Sequence, residues 1–188
     1  IDSALNMMQS IQIEDLSFTY PSRSEPTLRG IDVTVDSGEF VLLTGPTGCG
    51  KSTLLRTLNG LIPHASGGKL SGCVRIDGMN VAEQPLAVTC QLVGLLFQNP
   101  DDQLFCIVVE DEIAFGLENL GLPPSEIDRR IDTALEQVGL PEFRHRPIAS
   151  LSGGEKQRVA LACVCAMQPR VLLLDEPTSH LDPQATLD

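Results

Sequence analysis

Apolar and polar residues alternate through residues 11–35, most plainly in Ile31-Asp32-Val33-Thr34-Val35, and Val74-Arg75-Ile76 repeats the pattern before the turn Asp77-Gly78. Alternation with period two predicts antiparallel strands with one wet face. Three short apolar runs behave differently: Phe40-Val41-Leu42-Leu43-Thr44, Val93-Gly94-Leu95-Leu96-Phe97 and Val171-Leu172-Leu173-Leu174. Unbroken runs of this length predict strands buried on both faces, as in a parallel sheet. Between Glu110 and Ser150 the period becomes helical. Ile127, Ile131, Leu135 and Val138 mark one helix face, and Ser125-Glu126-Ile127-Asp128 resembles a capping box with Asp in the Glu place. The apolar stretch from Val159 to Met167 predicts a buried helix face, and the Gly/Ser-rich stretch from His64 to Gly72 a loop. No internal repeat is seen.

The first of the apolar runs leads into Gly45-Pro46-Thr47-Gly48-Cys49-Gly50-Lys51-Ser52-Thr53, which fits G-x-x-x-x-G-K-[ST]. Glycines at 45, 48 and 50 let the backbone curl so that its N–H groups face an anion. Lys51 would reach the β- and γ-phosphates of a nucleotide, and the Ser52 hydroxyl would ligate Mg²⁺. Thr53-Leu54-Leu55-Arg56-Thr57-Leu58 continues as a helix whose positive end favours the phosphates. The bland alternative is a Gly-rich turn joining a strand to a helix.

The last apolar run ends in Asp175-Glu176. A carboxylate at the carboxyl end of a parallel strand lies where ligands bind in such sheets. Asp175 would hold Mg²⁺, directly or through water, and Glu176 is the candidate general base for an attacking water. Taken alone, the pair also suits an acidic turn before Pro177. Between the two motifs stands Leu151-Ser152-Gly153-Gly154-Glu155-Lys156-Gln157-Arg158, where Ser152 and the glycines open a helix without a phosphate-binding lysine. Ser152 as a plain helix cap is the simpler account of that residue.

These three motifs in this order resemble the nucleotide-binding domain of ATP-binding cassette (ABC) ATPases, from about Ile11 to Asp188. The resemblance implies an α/β P-loop NTPase core with a mainly parallel sheet, an N-terminal antiparallel β lobe and a helical insert. The nucleotide-binding core would take residues 11–109 and 151–188, and the helical subdomain residues 110–150. It implies bound ATP and Mg²⁺, with Ser152, Gly153 and Gly154 meeting the γ-phosphate held by a second ABC ATPase subunit, identical or homologous. Tyr20 matches the aromatic that stacks on adenine, although a strand-end aromatic also packs on a core. Gln98 matches the glutamine that contacts Mg²⁺ and the water, and Ser179-His180-Leu181-Asp182 matches the loop that crosses the dimer interface. Residues 98–105 and 109–123 resemble the ATPase subunits of energy-coupling factor transporters, which import vitamins and metal ions such as cobalt and nickel. That implies an integral membrane partner and a place on the cytoplasmic side of the cell membrane. A soluble ABC protein working in DNA repair or translation, and a nucleotide-binding fragment without turnover, stay open as alternatives.

Three departures from the family pattern stand out. Glu155 replaces the commoner glutamine, and His180 stands where small residues are frequent. The family's switch histidine follows one further strand, and only residues 183–188 remain here; together with Ile1 as first residue this points to a fragment.

Composition narrows the function classes. The net charge is −12, which disfavours nucleic acid as a partner, since such proteins carry a basic patch. At 42% hydrophobic residues the chain can fill a core, and no apolar run approaches the ~20 residues of a spanning helix. The six cysteines show no CxxC or Cys/His spacing, so neither a zinc site nor a disulfide framework is expected.

Overall fold

The computed structural model describes residues 9–178. The chain divides between residues 93 and 94 into two compact units.

The first unit is built on β1 (Gln9–Thr19), β2 (Leu28–Asp36), β3 (Lys69–Ile76) and the short β4 (Met79–Asn80). They form an antiparallel sheet in the order β2-β1-β3-β4. The buried residues of β1 are Ile11, Ile13, Leu16 and Phe18, with spacings of two, three and two. The odd spacing marks an extra residue, and the pairing shifts register between Ile13 and Leu16 on one side and between Glu14 and Ser17 on the other. Asp15 takes up the irregularity at φ +45°, and its N–H donates to Asp32 Oδ1 at 2.8 Å. Gly72 on β3 passes so close that a Cβ there would lie 2.2 Å from the Asp15 carbonyl oxygen, which only glycine permits. Helices α1 (Lys51–Leu58), α2 (Leu61–His64) and α3 (Leu86–Leu92) complete this unit.

The second unit pairs β5 (Val93–Leu96) with β6 (Val171–Leu174) in a two-stranded parallel sheet. Around it stand α4 (Val109–Asn119), α5 (Pro124–Gln137) and α6 (Gly153–Ala166). Ile113, Leu117, Ile131, Leu135 and Val159 close a core among these helices. Full burial of side chains of this size contributes about 1.5–3 kcal/mol each. Gly94 of β5 lets α6 approach: a Cβ there would lie 2.4 Å from Val164 Cγ1 and 2.8 Å from Pro169 Cγ. Arg144 clasps the bundle, bonding Glu110 at the start of α4 and Asp128 and Asp132 on α5.

Three sequence expectations are corrected. Residues 40–44 form no strand among the described residues, and Phe40 is 91% exposed, with Val41, Leu42 and Leu43 exposed beside it. The parallel sheet therefore has two described strands and not three. An apolar run records a demand for burial, but a strand also needs a hydrogen-bonded neighbour, and none is described for this run. The capping box predicted at Ser125 is absent. Helix α5 begins at Pro124, with Pro123 as cap and no side-chain bond, because proline at the first helical position needs no N–H partner. The loop predicted from His64 to Gly72 is shorter, since β3 already begins at Lys69. The alternating strands, the helical insert and the face made by Ile131 and Leu135 are found as expected.

Candidate functional site

In the first unit, residues 45–50 form a loop that runs straight into α1. Gly48 and Gly50 adopt φ of +80° and +106°, in the region that side chains avoid. Gly45 is extended, and a Cβ on it would lie 2.9 Å from Cys49 Sγ, so the thiol packs over this glycine. No side chain caps α1, whose N-cap is Gly50. The first N–H groups of a helix need an acceptor, and here no side chain provides it. Lys51 Nζ donates to the Gly45 and Pro46 carbonyls at 3.0 and 3.4 Å, folding the ammonium over the loop that also holds Thr47. Ser52 lies in the first turn of the same helix, and Thr53 is buried behind it. Glycine backbone, an uncapped helix start and an ammonium together suit a polyphosphate.

Tyr20 follows β1. Its ring meets Phe18 edge-on at 4.8 Å, and its hydroxyl shares a hydrogen bond with Thr53 Oγ1 at 3.2 Å. The packing alternative raised from sequence thus has a physical form, tying the residue after the strand to the start of α1. Cys49 is exposed, whereas the other five cysteines are partly covered. Burial pushes the Cys90, Cys106, Cys163 and Cys165 thiols up, away from the reactive thiolate. Cys49 is therefore expected to react with a maleimide faster than the rest, and MgATP to protect it. Peptide mass spectrometry over a time course checks this; an unchanged Cys49 rate with MgATP would separate the loop from nucleotide.

In the second unit, β6 delivers Asp175, whose N–H donates to the Leu96 carbonyl at 3.0 Å, continuing the sheet by one bond. Asp175 is only 8% exposed, a place where a carboxylate is costly unless a cation or donors meet it. Glu176 follows with φ +49°, a strained setting for a residue with a side chain. Its Oε2 accepts from Gln98 Nε2 at 2.6 Å. These residues lie 78 apart in the chain and meet because β5 and β6 are neighbours. Among the described residues no three His, Cys, Asp or Glu gather into a metal cluster. Mg²⁺ does not require one, since it takes a carboxylate or hydroxyl from protein and the rest from phosphate and water.

Helix α6 opens on the signature segment. Ser152 is its N-cap, with Oγ accepting from the Glu155 N–H at 3.3 Å, while Glu155 Oε2 accepts from the Ser152 N–H at 2.7 Å. This is a complete capping box, and it gives the departure at 155 a structural use. The Ser152 bonds and the nearby Arg146 and Arg158 hold the Glu155 carboxyl below the usual range. Arg146 Nη1 stands 3.5 Å from Glu155 Oε1 and over the Phe143 ring. Gly153 and Gly154 form the first helical positions beyond the cap.

The structure thus brings together Gln98 with Glu176, Tyr20 with Thr53, and Lys51 with its own loop. The phosphate loop and the acidic pair belong to different units. The expected interface loop, Ser179-His180-Leu181-Asp182, lies outside the described residues. Lys156 Nζ donates to Asp101 Oδ1 at 2.6 Å and Gln157 Nε2 to the Phe97 carbonyl at 3.4 Å, two bonds around Gln98 that the sequence does not suggest. No local pattern could have shown this, because their partners lie more than fifty residues upstream.

A glycine loop entering a helix with lysine and hydroxyl, and a sheet strand ending in two carboxylates, define a P-loop nucleotide-binding protein. The family profile described as ABC transporter matches residues 28–179, and the chain belongs to that family. A relative from Methanosarcina acetivorans, described as a candidate ABC transporter ATP-binding protein, is 54% identical over 94% of this chain and 28% of its own length. A similarly described protein of Pyrococcus horikoshii is 51% identical over 94% of the chain and 62% of its own length. The chain therefore spans less than two thirds of these relatives. Among solved structures, cbiO1 of Clostridium perfringens, part of the ABC transporter complex cbiONQ, is similar with a TM-score of 0.81. It is 35% identical, over 95% of this chain and 70% of that one. The ATP-binding cassette MJ0796, a dimer in a post-hydrolysis state with ADP and Pi, also gives a TM-score of 0.81, at 27% identity over 93% and 77% of the two chains. Members of the family bind ATP with Mg²⁺.

Proposed function

We propose that this domain hydrolyses ATP to ADP and phosphate and so powers import through a membrane transporter of the energy-coupling factor type. The observation that carries the hydrolytic part is the 2.6 Å bond from Gln98 to Glu176 beside the buried Asp175. The similarity to cbiO1 and the wording of residues 98–123 support the import part. Lys51 would bind the phosphates, and Ser52, Asp175 and Gln98 would hold the metal. MgATP, when bound, supplies the phosphoryl group and the charge that the metal neutralises. Glu176 would orient the attacking water and accept its proton at the carboxylate. Gln98 fixes one oxygen of that carboxylate, Oε2, by donating to it. Tyr20 would stack on the base, and residues 45–50 would wrap the phosphates. Ser152, Gly153 and Gly154 would face the nucleotide of a second ABC subunit, giving two composite sites in a head-to-tail dimer. The domain would sit on the cytoplasmic side of the membrane; no described helix is long and apolar enough to cross it.

Purification of the full-length protein from membranes tests the import part. It is expected to arrive with an integral membrane subunit and to release phosphate from MgATP. Robust hydrolysis by a protein found only in the soluble fraction, bound to no membrane subunit, would turn the assignment to a non-transport ATPase.

A further inference from the structure

Two residues past Phe18 the chain carries its only tyrosine. Tyr20 is half-buried, so part of its surface stays open, and it is held at two points. Its ring stands edge-on to Phe18, with an interplanar angle of 79°. Phe18 is itself fixed. It is fully buried, and a Cβ on Gly68 would lie 2.8 Å from Phe18 Cε2 and 2.5 Å from the Thr19 carbonyl oxygen. At the tip of the tyrosine, the hydroxyl shares its 3.2 Å hydrogen bond with Thr53 Oγ1, across 33 residues of sequence.

Thr53 does not use its hydroxyl as its neighbour on α1 does. Thr57, one turn later, donates back to the Leu54 carbonyl at 2.7 Å, the ordinary outlet for a helical threonine. Among the described residues Thr53 makes no such return bond; its hydroxyl leaves the helix and meets Tyr20. Thr53 is 7% exposed, and a hydroxyl so covered needs a partner. Packing against Phe18 would be served equally by phenylalanine at 20. The tyrosine hydroxyl and the partner it meets are what packing does not require. Together the two contacts leave the ring little freedom to turn. A rigid ring with an open side suits a flat ligand group, and its order before binding lowers the entropic cost of the contact. Thr53 also follows Lys51 and Ser52 directly on α1.

We propose that Thr53 is a positioning residue for the nucleobase. Through the Tyr20 hydroxyl it sets the ring on which the base stacks. This rests on the stacking role proposed above for Tyr20. The helix that holds the triphosphate thereby also sets where the base lies. Stacking recognises a π-face, so the gain goes to a nucleotide and not to triphosphate alone.

The test compares MgATP with magnesium triphosphate, which has no base, by titration calorimetry on the full-length protein. Tyr20→Ala removes the platform and is expected to weaken MgATP binding about tenfold or more, leaving triphosphate within about twofold. Tyr20→Phe keeps the ring and loses only the hydroxyl. About a fivefold loss is expected there, again for MgATP alone, the size that one hydrogen bond gives. Thr53→Val is expected to match it. The double variant Tyr20→Phe with Thr53→Val should lose about fivefold, against roughly 25-fold for independent effects. A purely structural bond would lower the thermal midpoint without separating the two ligands, and that result would overturn the positioning role. So would Tyr20→Phe binding MgATP as wild type does, Thr53→Val weakening both ligands alike, or losses that multiply in the double variant. A Tyr20→Ala protein that loses nothing for MgATP, or as much for triphosphate, would instead remove the stacking reading, and the positioning role with it.

Discussion

Lys51→Ala is expected to weaken ATP binding by roughly 100-fold, about 3 kcal/mol at 1.4 kcal/mol per decade. The lysine supplies the one formal cation within the loop of residues 45–53. In the structure its ammonium already lies over that loop, donating to the Gly45 and Pro46 carbonyls. Phosphate oxygens are stronger acceptors than carbonyls, because a bond between two ions is about twice as strong as a neutral one. The ammonium therefore exchanges weak partners for strong ones when nucleotide enters, and alanine forfeits that exchange. Titration calorimetry of the full-length protein measures the effect. A matching thermal midpoint without nucleotide would show that the fold survives. Affinity within a factor of three of wild type would remove Lys51 from the phosphate site.

The second large effect is expected at Glu176. Glu176→Gln should lower the hydrolysis rate by about 10²–10⁴-fold, the range of a positioned general base, with ATP affinity nearly unchanged. The substitution preserves shape, and an amide oxygen can still accept from Gln98 Nε2. What disappears is the capacity to take a proton from water. Because ATP then persists between the subunits, the ATP-bound dimer should accumulate. Single-turnover phosphate release and size-exclusion chromatography with MgATP read the two outcomes. Turnover close to wild type would remove Glu176 as the base.

The parts of this molecule that depend on nearby residues were legible in the sequence. The antiparallel strands are written in the alternation through residues 11–35, which gave no sign of the bulge at Asp15, and the phosphate loop in its glycines. The helix at Ser152 was legible too, although the carboxylate that completes its cap looked there like a mere departure. What was not legible depends on chain pairing at long range. Residues 40–44 have the composition of a buried strand and yet lie exposed, since burial needs a neighbour and periodicity names none. The proline pair at 123 and 124 started α5 where a polar cap had been expected, because a fixed φ replaces the need for one. The bonds from Lys156 to Asp101 and from Gln98 to Glu176 join distant segments whose meeting is set by the sheet and the bundle.

The backbone of Glu176, at φ +49°, has a bearing on how this position can change over generations. A left-handed conformation costs a residue with a Cβ of order 1 kcal/mol or more, and glycine, or to a lesser degree asparagine, relieves it. Random substitution screened for thermal endurance alone would thus favour glycine at 176, and the variants it selected would have discarded the proposed base. Selection for turnover must hold the carboxylate there against that gradient. The site where the chain gives up some endurance is the site where the water would be activated, the usual form of a trade between stability and activity.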